Sequence, residues 1–203
     1  MLVYSDTNAR MALQGRPVLD RDATLRLARI LFPGEELTPL GDGDLSFTCP
    51  PDEELHIGCY PSVSIVAATE FGIDYPSQLP KAFVTAGGGG TVYLHAMHSV
   101  VDWFAYALWV NGALLRSLSL SPDSGVLEDF GQKLPFEEPY WSGQHPVPVD
   151  EEEDDYPLPF HPLSLGEAAL REFFGYQLEG FLDPALLEPE SVSLIRYRRS
   201  KSQ

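Results

Sequence analysis

The clearest pattern of apolar positions runs from Thr91 to Pro122, TVYLHAMHSVVDWFAYALWVNGALLRSLSLSP. At its centre Asn111-Gly112 separates two apolar runs. This dipeptide accepts positive φ at both central positions of a type I′ turn, so the spacing predicts a β-hairpin. A two-residue loop pairs Val110 with Ala113, Trp109 with Leu114, Leu108 with Leu115, Ala107 with Arg116 and Tyr106 with Ser117. One face then carries Trp103, Ala105, Ala107 and Trp109 beside Leu114, Arg116, Leu118 and Leu120, and the other carries Phe104, Tyr106 and Leu108. Because both faces are apolar, these strands belong inside a covered sheet. Upstream, Val92, Tyr93, Val100, Val101, Trp103 and Phe104 favour a strand to about Met97 and a tight connection at residues 98–101. The competing reading is a helix to Tyr106, which would align His95, His98, Ser99 and Asp102 in one stripe.

Elsewhere the pattern is helical or punctuated. Asp20 is placed to cap a helix from Arg21 to Leu31, which Pro33-Gly34 stops. His56–Tyr60 and Val63–Ala68 read as two strands parted by Pro61, and Pro76–Ala86 as room for a short helix. Gly87-Gly88-Gly89-Gly90 leads into the Thr91 strand, where a phosphate loop would need a lysine, a hydroxyl and a helix. Ser121–Gly125 reads as a turn, and Val126–Phe136 has room for a further strand. From Pro135 to Pro162 the chain is rich in proline and aromatic residues and predicts a wrapping segment, with an acidic loop over residues 142–157. Ser164 and Glu167 have capping-box spacing before a helix that Gly175 ends, Asp183–Leu187 allows another helical turn, and the tail to Lys201 reads as a last strand.

Composition changes the picture through charge. The 203 residues carry a formal net charge of −17, which argues against nucleic acid and anionic membranes as partners and favours neutral or basic ones. The run Asp150, Glu151, Glu152, Glu153, Asp154 and Asp155 is the natural docking feature for a basic protein, such as a toxin that this protein would neutralise. Cys49 and Cys59 match neither metal-binding nor disulfide-framework spacing and are expected as reduced thiols. The segment after Met1 lacks a basic leader with a long apolar stretch, and no run of about 20 apolar residues occurs, so a cytoplasmic protein is expected.

The candidate chemistry lies around the hairpin. His95, His98 and Asp102, joined by His145 or His161, could hold zinc or iron or act in acid–base catalysis, as in a small metal-dependent hydrolase. Against this, two histidines three apart on a strand point to opposite faces, where they would bond backbone groups while Asp102 caps the turn. Arg116, with Trp103 and Trp109, could line a small-molecule site for an anionic ligand. The alternative for Arg116 is a structural tie to Glu137, Glu138 or Glu179. Ser99 beside His98 lacks a nucleophile elbow, and no cofactor motif is present.

The segments HAMHSVVDWFAYALW, the Asn-Gly turn, RSLSLSPDSGV, LPFEEPYW and YPLPFHPLSLGEAALREFFGYQLEG resemble a family of uncharacterised bacterial proteins of this size, from the first helix to Gly180. The resemblance implies a single-domain, bacterial, cytoplasmic protein and assigns no activity, so it transfers no functional residue. The expectation is one α+β domain, a mainly antiparallel sheet with helices packed on it, serving as a binding protein rather than an enzyme.

Overall fold

The computed structural model describes residues 1–147, 156–181 and 183–201. The strands are β1 (Leu2–Ser5), β2 (Glu35–Asp44), β3 (Glu54–Tyr60), β4 (Val63–Ala67), β5 (Thr91–His98), β6 (Trp103–Val110), β7 (Ala113–Ser121), β8 (Gly125–Gly131) and β9 (Ser193–Lys201). They form a single open sheet in the order β2-β9-β3-β4-β1-β5-β6-β7-β8. Neighbouring strands are antiparallel throughout. Helices α1 (Ala9–Gln14), α2 (Arg21–Leu31), α3 (Lys81–Thr85), α4 (Glu138–Trp141) and α5 (Pro162–Phe174) complete an α+β protein.

Both faces are covered, as the doubly apolar hairpin requires. On one face Leu2, Val66, Val92, Leu94 and Trp109 pack against Ala28 and Leu31 of α2, with Phe71 and Val84. On the other, Val3, Ile65 and Leu194 meet Leu13 of α1 and Leu170 and Phe174 of α5. Towards β8 that face continues with Phe104, Tyr106, Leu118 and Leu120 beneath Tyr140, Phe160, Leu165 and Ala169. Tyr140 and Phe160 come from the two described ends of the proline-rich segment, and both anchor on this face as its aromatic residues predict. The acidic run Asp150–Asp155 lies outside the described residues.

The local predictions hold where their causes are local. Asp20 caps α2, its Oδ1 accepting from the Ala23 N–H at 2.8 Å. Asn111 and Gly112 both have positive φ, 51° and 78°, and β5 ends at His98, which rules out the helical stripe. Gly175 closes α5 with φ 76°.

Three readings are corrected. The hairpin begins in the expected register at Val110–Ala113 and Trp109–Leu114, but a bulge then pairs Leu108 with Arg116, Ala107 with Ser117 and Tyr106 with Leu118. One extra residue, the half-exposed Leu115, switches every later side chain of β7 to the opposite face. Arg116 thus lies with Tyr106 rather than with Trp109. Helix α5 starts at Pro162 rather than at a Ser164 cap, since proline presets φ and needs no N–H partner in a first turn. Glu167 accepts instead from the Leu178 N–H at 2.9 Å. Asp183–Leu187 forms a turn, with the Leu186 N–H donating to Asp183 O at 3.0 Å. Two strands, β1 and β2, carry no sequence prediction at all: β1 is four residues long, and β2 contains Pro39, Gly41 and Gly43.

Candidate functional site

Antiparallel pairing brings the β5–β6 and β7–β8 turns to the same end of the sheet. The start of β1, the end of β4 and the β2–β3 connection meet them there. Together they enclose a cleft of about 620 Å³, with Phe47, Pro50, Val101, Trp103, Leu127 and Leu178 among its apolar walls. Its carboxylates are Asp74 and Asp123, its histidines are His95 and His98, and Cys49 also lines it. Among the described residues, neither Lys nor Arg lines it. Trp103 is held in place by its indole N–H, which donates to Ser119 Oγ at 3.1 Å.

His95 is a core residue. Strand alternation turns it towards α5, where Nε2 donates to the Gly166 carbonyl at 3.0 Å. Since a carbonyl only accepts, this bond sets the tautomer. Gly166 permits the approach, because a Cβ there would overlap the Met97 sulfur. Burial pushes the His95 pKa down to about 3, against the opposing bond to Gly166, so the ring is neutral at physiological pH. The Met1 amino group, lowered to about 5 by burial, donates to the His95 backbone carbonyl at 2.6 Å.

His98 is exposed and projects from the opposite face of β5. Asp102, at φ 46° in the β5–β6 turn, meets neither of these histidines. Its Oδ2 lies 3.5 Å from Nε2 of His161, immediately before α5. His145, the other histidine of the wrap, stacks on Tyr140 with ring centroids 4.3 Å apart. The proposed constellation of His95, His98 and Asp102 therefore does not assemble. Among the described residues no three His, Cys, Asp or Glu side chains are grouped to hold a metal. Cys59 is buried and Cys49 exposed, both as free thiols.

Arg116, Trp103 and Trp109 likewise occupy three separate environments. Trp109 is buried among the α2-side residues. Arg116 is fully buried and binds Glu137 through two bonds, Nε to Oε1 at 2.9 Å and Nη2 to Oε2 at 2.7 Å. Its Nη1 donates to Asp129 and to the Phe130 carbonyl. Glu137 also accepts from the Tyr106 hydroxyl, the Leu134 N–H and the Trp141 indole. Burial works against the charge on Arg116, but Glu137 and Asp129 outweigh it and raise its pKa. Burial, reinforced by Glu137, raises that of Tyr106. With its donors turned to protein carboxylates and carbonyls, the guanidinium is a tie between β7, β8 and α4. Sequence reasoning missed the cleft itself: the turn at Ser121–Gly125 was legible, but nothing local indicated that residues 46–50 would cross to meet it.

Fold and site together define an α+β protein with a nine-stranded antiparallel sheet and a wide cleft at one end of it. The chain belongs to a family of unknown function, DUF6928, whose family model matches residues 1–197. No curated protein and no solved structure matches the chain.

Proposed function

We propose that this protein is a binding module that receives a basic, partly apolar segment of a partner protein in the cleft at the end of its sheet. The observation that carries this reading is the lining: apolar walls with Asp74 and Asp123 and, among the described residues, neither Lys nor Arg, on a chain of net charge −17. Apolar walls supply affinity through burial, and the carboxylates select the sign of the ligand and speed its approach. A volume of about 620 Å³ accommodates several side chains, within the range of ordinary ligand clefts. The dispersal of His95, His98 and Asp102 favours binding over metal-assisted hydrolysis.

Calorimetric titration with a peptide of alternating Leu and Lys tests the reading, with the Leu/Glu analogue as control. The Lys peptide is expected to bind the wild type, and the Asp74→Asn/Asp123→Asn double variant to bind it about tenfold more weakly or worse, a loss of about 1.4 kcal/mol. Equal binding of both peptides, or binding unchanged in the double variant, would refute the charge-selective cleft.

A further inference from the structure

The open sheet has two margins that differ in how they meet solvent. An unpaired strand edge offers a row of N–H and C=O groups to any extended chain, and proteins block such edges with proline, bulges and charge. β2 has all three: Pro39 lacks an N–H, the register breaks between Pro39 and Gly41, and Glu35, Glu36, Asp42 and Asp44 lie along the strand. β8, Gly125–Gly131, contains no proline. Its one irregularity falls between the pairs Ser119–Glu128 and Leu120–Val126, and the extra residue, Leu127, lines the cleft. Glu128 to Gly131 remain regularly paired to β7 on one side and, among the described residues, face no strand on the other.

We infer that β8 is a strand-addition site, and that the basic segment received by the cleft continues out of it as a tenth strand along this edge. The inference rests on the proposed reading of the cleft. Continuity is built in, because Asp123 and Ser124 of the β7–β8 turn and Leu127 of β8 itself line the cleft. The regular part of the edge, Glu128 to Gly131, is about 13 Å long at ~3.3 Å per residue, and main-chain bonds to such an edge give affinity while alternate side chains give selectivity.

The side chains of β8 specify the occupant. Val126 and Asp129 pair with Leu120 and Leu118, so they share the face covered by α4 and α5. Glu128 and Phe130 pair with Ser119 and Ser117 and belong to the other face. Each face thus presents one apolar and one acidic neighbour to an added strand. Val126 and Phe130 are 45% and 50% exposed, and the Asp129 side chain keeps 39% of its exposure despite its bond to Arg116. A fitting strand carries one apolar and one basic residue on each face, which is a sequence of basic and apolar residues in pairs. A second copy of this chain is disfavoured, since β8 against β8 would bring Glu128 and Asp129 near their own counterparts.

Hydrogen–deuterium exchange of the full chain tests this, with and without a blocked peptide of Lys-Lys-Val-Val repeated twice. Alternate amides within residues 125–131 are expected to slow by at least about tenfold, together with amides of the cleft turns. A Glu-Glu-Val-Val analogue is expected to leave both unchanged, and Val126→Lys to reduce the β8 effect while sparing the cleft. Slowing at the cleft turns alone would overturn strand addition and leave the cleft reading standing; no slowing at either would overturn both.

Discussion

At one margin of the sheet, one of the ties that hold β2 is a pair of charges in solvent. Arg21 of α2 forms an ion pair with Asp42, their side chains 60% and 44% exposed. At the other margin, β8 is tied by a guanidinium with no exposure at all, shared between Asp129 and the equally buried Glu137. The chemistry is the same and the energetics are not. An exposed pair exchanges water for a partner at little net gain. A buried pair has already lost its water, so each member depends on the other being present. The margin inferred to accept a partner is thus also the one whose own strand is held from within, by a guanidinium without exposure.

The largest effect is expected from Glu137→Gln. It removes the carboxylate from Arg116 and places amide hydrogens against donors, so a destabilisation of about 3–5 kcal/mol is expected in urea unfolding. A loss below ~1 kcal/mol would show that Asp129 and the nearby carbonyls suffice.

A second test concerns pH, because His95 is a buried base without a counter-charge. Its folded pKa, about 3, lies below its unfolded value near 6.5. The folded state therefore binds fewer protons, and the stability this contributes is fully present above pH ~6.5 and lost as pH falls towards 3. Between pH 7 and pH 5 the wild type should lose about 2 kcal/mol through this residue. His95→Gln, which keeps a donor for the Gly166 carbonyl, should flatten that limb in urea midpoints measured at the two values. An unchanged slope would assign the acid limb to other groups.

The smallest effect is expected from Arg21→Ala. Asp42 is held below the usual carboxylate range by the hydrogen bond from Arg21, yet both groups are solvated. The unfolding midpoint should stay within error of the wild type at moderate salt, and any difference should vanish as salt screens the pair. A clear loss that persists in high salt would place the two ties in one class after all.

Legibility followed the range of the causes. The Asp20 cap, the Asn111-Gly112 turn, the alternation that parts His95 from His98, and the aromatic anchors of the wrap all depend on neighbours within a few residues. The single residue Leu115 was enough to move Arg116 to the other face, because a bulge depends on what the arginine finds across the sheet, here Glu137 and Tyr106. Of the histidines offered to Asp102, His161 arrives only because α5 begins one residue later, at Pro162. β2 was illegible for the opposite reason: its glycines and proline deny it a strand signature, and its pairing with β9 from Glu35 to Asp44 supplies what the local sequence lacks.

The class of the fold, the hairpin turn, the principal helices and the net charge of −17 could be read from the chain alone. Long-range packing placed β1 between β4 and β5 and β9 between β2 and β3, buried Arg116, and brought residues 46–50 to complete a cleft with two turns far along the chain. The physical reason is one of range. Turns, caps and alternation are set by backbone dihedrals and near neighbours, whereas strand order and clefts depend on burying surfaces that meet only after distant segments have packed.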